Sequence, residues 1–152
     1  MRALVFVLVW GCSAPVDEVC DQHVPSETRV LEIGNLDRSV PLGTEFPFVP
    51  YEDGERVLKE FGSQAATHLP IFLRVEAHDG DGEELRCAYV EYRRDDFATE
   101  FPLELERRAE HWVTRLGFQD VAALGEVEVD VTLRDALFEG RASITLEAVE
   151  PL

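Results

Sequence analysis

The clearest pattern in the chain is a strict alternation of apolar and polar residues near its C-terminus. The apolar positions are Val127, Val129, Val131 and Leu133, and the polar positions between them are Glu126, Glu128, Asp130 and Thr132. A period of two is typical of a strand with one buried face, because successive side chains on a strand point in opposite directions. After a connection at residues 135–140, residues 143–149 are predicted to return as a second strand.

Several other segments carry strand signals separated by residues that favour turns. The predicted strands cover residues 28–33, 68–77, 85–92, 102–106 and 111–116, with short edge pieces at 46–49 and 56–61. Residues 100–118 are ambiguous, because they contain good helix formers as well as alternation. A tight loop at residues 78–83 is expected to turn the chain back on itself. Seven or eight short strands with frequent turns predict an all-β fold, a β-sandwich.

The first residues of the chain predict export. Arg2 supplies a positive charge, and the run from Ala3 to Trp10 is apolar, of secretory length and too short to span a bilayer. The segment Val-Trp-Gly-Cys ending at Cys12 resembles the lipobox of bacterial lipoproteins. This resemblance implies a signal peptide over residues 1–11, lipidation of Cys12, a tether over residues 12–27 and a domain over residues 28–152.

The position after Cys12 bears on the membrane that holds the protein. By resemblance to lipoprotein sorting rules, Ser13 favours the outer membrane over the inner membrane. The alternative is an ordinary signal peptide cleaved after Ala14. Pro15 would then follow the scissile bond, where its ring and missing N–H suit a peptidase poorly. With either signal, the protein is expected to leave the cytoplasm for the bacterial cell envelope or beyond.

Two further cysteines, Cys20 and Cys87, remain after the lipobox cysteine. In an oxidising compartment an even pair indicates a disulfide, which would pin the tether onto the domain. Two unpaired thiols or a metal site are the alternatives. The metal alternative lacks partner residues at a matching spacing.

The formal net charge is −17, and the acidic residues are spread along the chain. This balance disfavours nucleic acid as a partner, because binding to phosphates needs clusters of Lys and Arg. It also disfavours docking of the folded domain on an anionic lipid surface. The remaining partner expectations are the membrane, through lipid on Cys12, and a protein or glycan of the envelope.

One internal segment resembles a known group of proteins. The matching positions are Asp53, Gly54, Gly62, Gln64, His68 and Val75. The segment is similar to that of uncharacterised lipoproteins, common in myxobacterial-type proteomes, in which a QGGxH-like stretch leads into a sandwich strand. Ala65 and Ala66 stand where that group favours two glycines. The resemblance implies an immunoglobulin-like antiparallel β-sandwich on an anchored lipoprotein, and it implies no activity.

Gln64 and His68 have two interpretations. The imidazole of His68 is a possible ligand or proton shuttle. Alternatively, both side chains satisfy backbone groups where a loop enters the sheet. A lone histidine makes no hydrolase, and sequence motifs for nucleophilic, metalloprotease or phosphate-binding sites are absent from the chain.

The loop around residues 78–84 is a candidate metal site. Asp79, Asp81 and Glu83 lie on a glycine-rich turn and offer oxygen ligands of the kind that Ca²⁺ prefers. The loop lacks the length and the twelfth-position glutamate of an EF-hand, and a polar turn accounts for the same residues without a metal. The sequence predicts no cofactor and no enzyme. The expected function is a structural, adhesive or protein-interaction role, with a calcium- or glycan-binding module as the alternative.

Overall fold

The computed structural model describes residues 25–40, 46–61, 67–82, 86–94, 97–116 and 124–150, which form strands and no α-helix. The strands are β1 (Glu27–Leu36), β2 (Phe48–Pro50), β3 (Glu55–Leu58), β4 (Glu60–Phe61), β5 (Thr67–His68), β6 (Ile71–Glu76), β7 (Arg86–Arg94), β8 (Phe97–Arg108), β9 (His111–Leu116), β10 (Gly125–Arg134) and β11 (Phe138–Val149). A short 3₁₀ turn covers Asp79–Asp81. The all-β class predicted from the sequence is confirmed. No helix in this part of the chain is long and apolar enough to cross a membrane.

Seven of the strands close into a barrel. Their order around the ring is β1-β6-β9-β8-β7-β10-β11, and the ring closes because the start of β11 pairs in parallel with the start of β1. The predicted C-terminal pair is confirmed as the antiparallel hairpin β10–β11, which runs from Gly125 opposite Ala148 to Arg134 opposite Glu139. Of the ambiguous stretch at residues 100–118, the described part forms most of strand β8 and all of strand β9, and residues 117 and 118 lie outside the described residues.

The strand pairing divides the ring into two groups of strands, which we call faces, joined at two strands that change partners along their length. β1 pairs with β11 over residues 27–30 and then with β6 over residues 31–34. β8 pairs with β7 over residues 97–105 and then with β9 over residues 106–108. Strands that switch partners in this way make the corners between packed sheets. The structure confirms the all-β class but does not by itself confirm the immunoglobulin-like sandwich.

The loop at residues 78–83 does not form a hairpin. β6 pairs with β1 and β9, whereas β7 pairs with β8 and β10, so the connection crosses from one face to the other. The prediction of a hairpin turn at this loop was therefore wrong, although β7 does run antiparallel to β6. Asp81 of this loop is buried and contacts Arg29 of β1 and Trp112 of β9, so the loop packs against the end of the barrel.

The core lies between the two faces and is built from the alternating apolar positions. Its largest fully buried side chains are Trp112, Phe138, Leu69, Ile71, Leu73, Leu105, Leu116, Leu133 and Leu146. All four predicted inward positions of the C-terminal alternation, from Val127 to Leu133, are buried. Burial of this apolar surface is the main source of stability for a fold of this kind.

Two short strands lie on the ring as edges rather than within it. Among the described strands, β2 pairs only with the end of β1, and β3 pairs only with the end of β11. β2 packs very closely on β1 because residue 34 is glycine. A Cβ atom at Gly34 would overlap the carbonyl oxygen of Val49 and would lie 2.7 Å from Cζ of Phe48.

The hairpin between β8 and β9 carries backbone strain at Ala109. Its φ is +51°, a left-handed conformation that costs an L-residue roughly 1 kcal/mol and costs glycine almost nothing. Replacing Ala109 by glycine is therefore expected to raise the free energy of unfolding by about 0.5–1 kcal/mol. Urea unfolding measures the change. Ala98→Gly in the strand β8 is the matched control and is expected to lower stability by a similar amount. A loss of stability in Ala109→Gly would contradict the argument.

Candidate functional site

A buried ion pair closes one end of the barrel. Nη1 of Arg29 lies 2.5 Å from Oδ2 of Asp81, and Nη2 lies 2.7 Å from Oδ1. The two side chains are only 4% and 3% exposed. Oδ2 of Asp81 also accepts hydrogen bonds from Nε1 of Trp112 at 2.8 Å and from the backbone amide of His78 at 2.9 Å. The carboxylate therefore accepts four hydrogen bonds.

These contacts shift the acid–base equilibrium of Asp81. The hydrogen bonds from Arg29 lower the pKa of the carboxyl group well below its usual range, and those from Trp112 and His78 lower it further against the opposing effect of burial. In turn, Asp81 raises the pKa of Arg29. Both groups are thus charged at neutral pH, and each compensates the other away from water.

A second ion pair extends this arrangement across the same end. Nε and Nη2 of Arg86 lie 2.7 and 2.9 Å from the carboxylate oxygens of Asp135, and Nη1 donates to the backbone carbonyl of Asp81 at 2.8 Å. The guanidinium of Arg86 lies 5.5 Å from the ring centre of Trp112. We call Arg29, Asp81, Arg86, Trp112 and Asp135 the arginine network. It joins β1, β7 and β9 to the loops that follow β6 and β10.

The network changes the interpretation of the predicted metal loop. The carboxylate of Asp81 already accepts four hydrogen bonds, and two of them come from the positively charged Arg29, which would repel an added cation. Asp79 is exposed, and Glu83 lies outside the described residues. Within the described ranges, His, Cys, Asp and Glu form no group of three that would hold a metal ion. The arrangement of this loop favours a structural role.

A cleft of about 930 Å³ lies toward the other end of the molecule. β1 and β11 diverge beyond their short parallel pairing, and the cleft forms between them. The edge strand β2 pairs with β1 on one side of the cleft, and the edge strand β3 pairs with β11 on the other. Its lining comprises Asn35, Leu36, Asp37, Arg38, Ser39, Val49, Tyr51, Glu55, Arg56, Val57, Leu58, Lys59, Glu60, Phe61 and Pro70. We call this site the edge cleft.

The edge cleft is apolar and electrically balanced. Three of the exposed large apolar side chains of the described structure line it, namely Val49, Leu58 and Phe61, and Phe61 is 70% exposed. Its charged residues are three acids, Asp37, Glu55 and Glu60, and three bases, Arg38, Arg56 and Lys59. A balanced lining is unusual in a chain with a net charge of −17.

Tyr51 forms part of the lining of the cleft and is held in place. Its hydroxyl donates to the carbonyl of Pro70 at 2.7 Å. Burial, followed by the nearby negative charge of Glu55, raises the pKa of the Tyr51 phenol above its usual value. Tyr51 is therefore a neutral side chain whose hydroxyl proton is already donated to a backbone carbonyl of the protein.

His68 lies beside the cleft, on β5 opposite Glu60 of β4. Its Nε2 lies 2.9 Å from Nη2 of Arg115 and 3.8 Å from Oε2 of Glu60. Burial lowers the pKa of His68, and the positive charge of Arg115 lowers it further. Neutral His68 therefore accepts a hydrogen bond from Arg115, which favours the structural interpretation of this histidine.

The lowered pKa of His68 predicts a pH dependence of stability. The unfolded chain takes up a proton near pH 6.5 while the folded protein does not, so stability present above that pH is lost as the pH falls toward the folded pKa. His68→Gln retains an acceptor but does not titrate. Between pH 7 and pH 5, the natural protein is expected to lose more stability than His68→Gln in urea unfolding. Equal losses would contradict this role.

The remaining predicted residues are distributed as follows. Asp53 accepts a hydrogen bond from the backbone amide of Thr145 at 2.9 Å, and the amide of Gly54, whose φ is +79°, donates to the carbonyl of Thr145 at 2.7 Å. This turn docks β3 onto β11. Gly62, Gln64, Cys12 and Cys20 lie outside the described residues. Cys87 lies at the start of β7, next to Arg86 of the arginine network. Because Cys20 lies outside the described residues, the predicted Cys20–Cys87 disulfide stays a prediction.

Sequence reasoning missed the arginine network, although one signal was present. Arg29 has the same strand parity as Leu31 and Ile33, which are buried, so a charge stands at an inward position of β1. A buried charge requires a partner. The edge cleft gave no comparable signal, because it depends on which strands β2 and β3 pair with.

Of the described residues of the family-like motif, Asp53 and Gly54 form a turn and His68 lies beside the cleft. The chain matches no protein-family model, and no curated protein or solved structure is similar to it.

Proposed function

We propose that this protein is a lipid-anchored protein of the bacterial envelope that holds a partner protein in the edge cleft, without enzymatic activity. The observation that carries the proposal is the cleft itself, an exposed, apolar and electrically balanced surface on a strongly acidic molecule. Exposed apolar surface rimmed by polar groups is typical of interaction sites. The signal peptide, lipidated Cys12 and the family resemblance belong to this proposal and rest on the sequence.

The polar groups near the cleft support binding rather than catalysis. His68 accepts a hydrogen bond from Arg115, and the Tyr51 hydroxyl donates to a backbone carbonyl. Nε2 of His68 and the hydroxyl of Tyr51 are thus already engaged in hydrogen bonds within the protein. The alternative calcium-dependent function is less well supported, because Asp81 is engaged by Arg29.

The position of the tether supports presentation of the cleft away from the membrane. The tether leads into Glu27 at the start of β1, beside the arginine network, and Cys87 lies at that same end. A Cys20–Cys87 bridge would hold the anchored segment there. The cleft lies toward the opposite end, where a partner meets it without hindrance from the lipid surface.

An immunoglobulin-like sandwich remains part of the proposal. The strand order supports it: β1, β6, β9 and β8 follow one another on one face, and β11, β10 and β7 on the other, as strands A, B, E, D and G, F, C do in that fold. In this assignment β2 and β3 lie in the connection between strands A and B. The cleft is then an addition to the basic sandwich.

The anchor and the disulfide are tested by the intact mass of the protein extracted from membranes with detergent. We expect a chain that begins at Cys12, carries acyl groups and gains the mass of two hydrogens on reduction. A chain that begins at Pro15 without lipid would overturn the anchor. A mass that reduction leaves unchanged would overturn the disulfide.

The cleft is tested by site-specific photo-crosslinking in cells that naturally produce the protein. A benzoylphenylalanine at position 61 replaces an exposed cleft residue, and one at position 30 replaces Val30, which is 75% exposed and lies on β1 near the arginine network. We expect a discrete adduct from position 61 only. No adduct from position 61, or the same adduct from both positions, would overturn the cleft as the interaction site.

A further inference from the structure

We infer that the occupant of the edge cleft is an extended peptide segment of the partner, which pairs with the free edge of β3 as an added strand. This inference rests on the proposed function of the cleft and specifies the chemistry of what binds there. Strand addition to an exposed sheet edge is a recurrent mode of peptide recognition.

The hydrogen-bonding pattern of β3 identifies its free edge. The backbone amide of Lys59 donates to the carbonyl of Val149 at 3.0 Å, so the backbone of Lys59 faces β11. In a parallel pair, the backbone groups of alternate residues point to opposite sides of the strand. The amides and carbonyls of Arg56 and Leu58 therefore point away from β11, toward the cleft, and β3 is the last strand on this side of the sheet among the described residues.

The size of the cleft fits a short strand. One strand residue occupies about 4.8 Å by 10 Å by 3.3 Å, or ~160 Å³. The cleft volume of about 930 Å³ therefore holds roughly six residues. β3 itself is four residues long, so the paired part of the occupant is shorter than the segment whose volume the cleft matches.

The lining specifies the kind of peptide. The inward position of β3 is Val57, which is buried, and the apolar Val49 lies across the cleft on β2. Alternate side chains of an added strand would point toward this apolar lining. Because the acids and bases of the cleft balance, the fitting peptide is uncharged and has apolar residues at alternate positions. A strongly anionic segment would be repelled by the rest of the molecule.

An acyl chain is the main competing occupant, since it would also fill an apolar cleft. It has no hydrogen-bonding groups, so it would cover the backbone amides of Arg56 and Leu58 without replacing their water. Burying such groups without hydrogen-bond partners costs on the order of several kcal/mol. The free backbone edge therefore favours a peptide.

Two variants at one position separate strand pairing from simple apolar contact. Leu58→Pro removes the amide that faces the cleft, whereas Leu58→Ala keeps that amide and removes most of the side chain. Proline is tolerated at an edge position whose N–H makes no bond within the sheet. Thermal unfolding of both variants establishes that they remain folded.

The probe is a blocked seven-residue peptide of alternating threonine and valine, carrying a fluorophore and titrated against the full mature chain. We expect binding to the natural protein and to Leu58→Ala, and affinity for Leu58→Pro weaker by about tenfold or more. In amide NMR spectra, the peptide should shift the signals of Arg56 and Leu58. Palmitate in place of the peptide should not.

The outcomes distinguish this inference from the proposed function. Equal affinity of the peptide for the proline and alanine variants, or shifts caused by palmitate alone, would overturn strand addition. If the adduct from position 61 nevertheless forms equally in the two variants, the cleft is still the interaction site and only the strand pairing is wrong. If no such adduct forms in the natural protein, the proposed function fails as well.

Discussion

Replacing Asp81 by asparagine is expected to lower the free energy of unfolding by about 3 kcal/mol, because it removes the buried counter-charge of Arg29 and leaves only the partly exposed Glu27 as its ionic partner. The two amino acids have the same shape, so the loss reports the charge and not the packing. The side chain of Arg29 is 4% exposed, so water cannot replace the lost carboxylate oxygen. Urea unfolding at pH 7 measures the change.

The matched control for Asp81→Asn is Glu32→Gln. Nε of Arg74 lies 2.6 Å from Oε2 of Glu32 in a pair that is partly exposed, and such pairs contribute roughly 0–1 kcal/mol. We therefore expect the control to change stability by less than about 1 kcal/mol. Similar losses in the two variants would show that burial does not set the energy of the Arg29–Asp81 pair.

The same carboxylate predicts the response to acid. Because the folded pKa of Asp81 is depressed, its contribution is fully present above the unfolded value near 3.8 and is lost as the pH falls toward the folded pKa. The natural protein should thus lose more stability between pH 4 and pH 2 than Asp81→Asn does. Parallel pH profiles for the two proteins would contradict this assignment.

Replacing Gly34 by alanine is expected to detach β2 from the barrel and to lower the free energy of unfolding by about 3 kcal/mol, the upper range for overpacking. The added Cβ would overlap the carbonyl of Val49 and would lie 2.9 Å from Cα of Pro50. Both are backbone atoms, so no side chain can move aside to relieve the overlap. The edge cleft would lose one of its walls.

Hydrogen exchange reports the local part of this effect. The amide of Tyr51 donates to the carbonyl of Ile33 at 3.0 Å, and its protection is expected to fall in Gly34→Ala. Gly80→Ala is the control, since no atom lies within 4 Å of a Cβ at that position. We expect Gly80→Ala to change stability by less than about 0.5 kcal/mol. A well-tolerated Gly34→Ala would show that β2 is not held by this close approach.

The long strands of this fold are predictable from local sequence because one face of each is buried. Alternation identifies β10 directly, and β1 is found from the residues that precede Gly34. The stretch from residue 100 was ambiguous, since Leu103 and Leu105 fit a strand while the Glu and Arg residues that follow fit a helix. The pairing of β8 with β7 and β9 favours a strand over a helix. Because that pairing involves other segments of the chain, the local sequence around residue 100 does not reveal it.

The candidate sites were harder to predict because they depend on contacts between distant segments. The glycine-rich turn makes Asp81 a candidate calcium ligand, whereas its actual partner, Arg29, lies 52 residues away along the chain. The loop was expected to join two paired strands, whereas it joins the two faces. The edge cleft arises where β1 and β11 diverge, and no residue pattern in either strand predicts where they separate.

The pairing of β1 with β11 has a consequence for how the chain reaches its final structure. Ser26 and Leu137, which meet at the seam of the ring, are 111 residues apart. Folds with such distant contacts are slow, on the order of milliseconds to seconds. The ring cannot close before the start of the last strand has been made, so a growing chain keeps both seam edges open until then. Cleavage or truncation ahead of Phe138 would leave β1 and β10 without their shared partner and expose both to pairing with other chains.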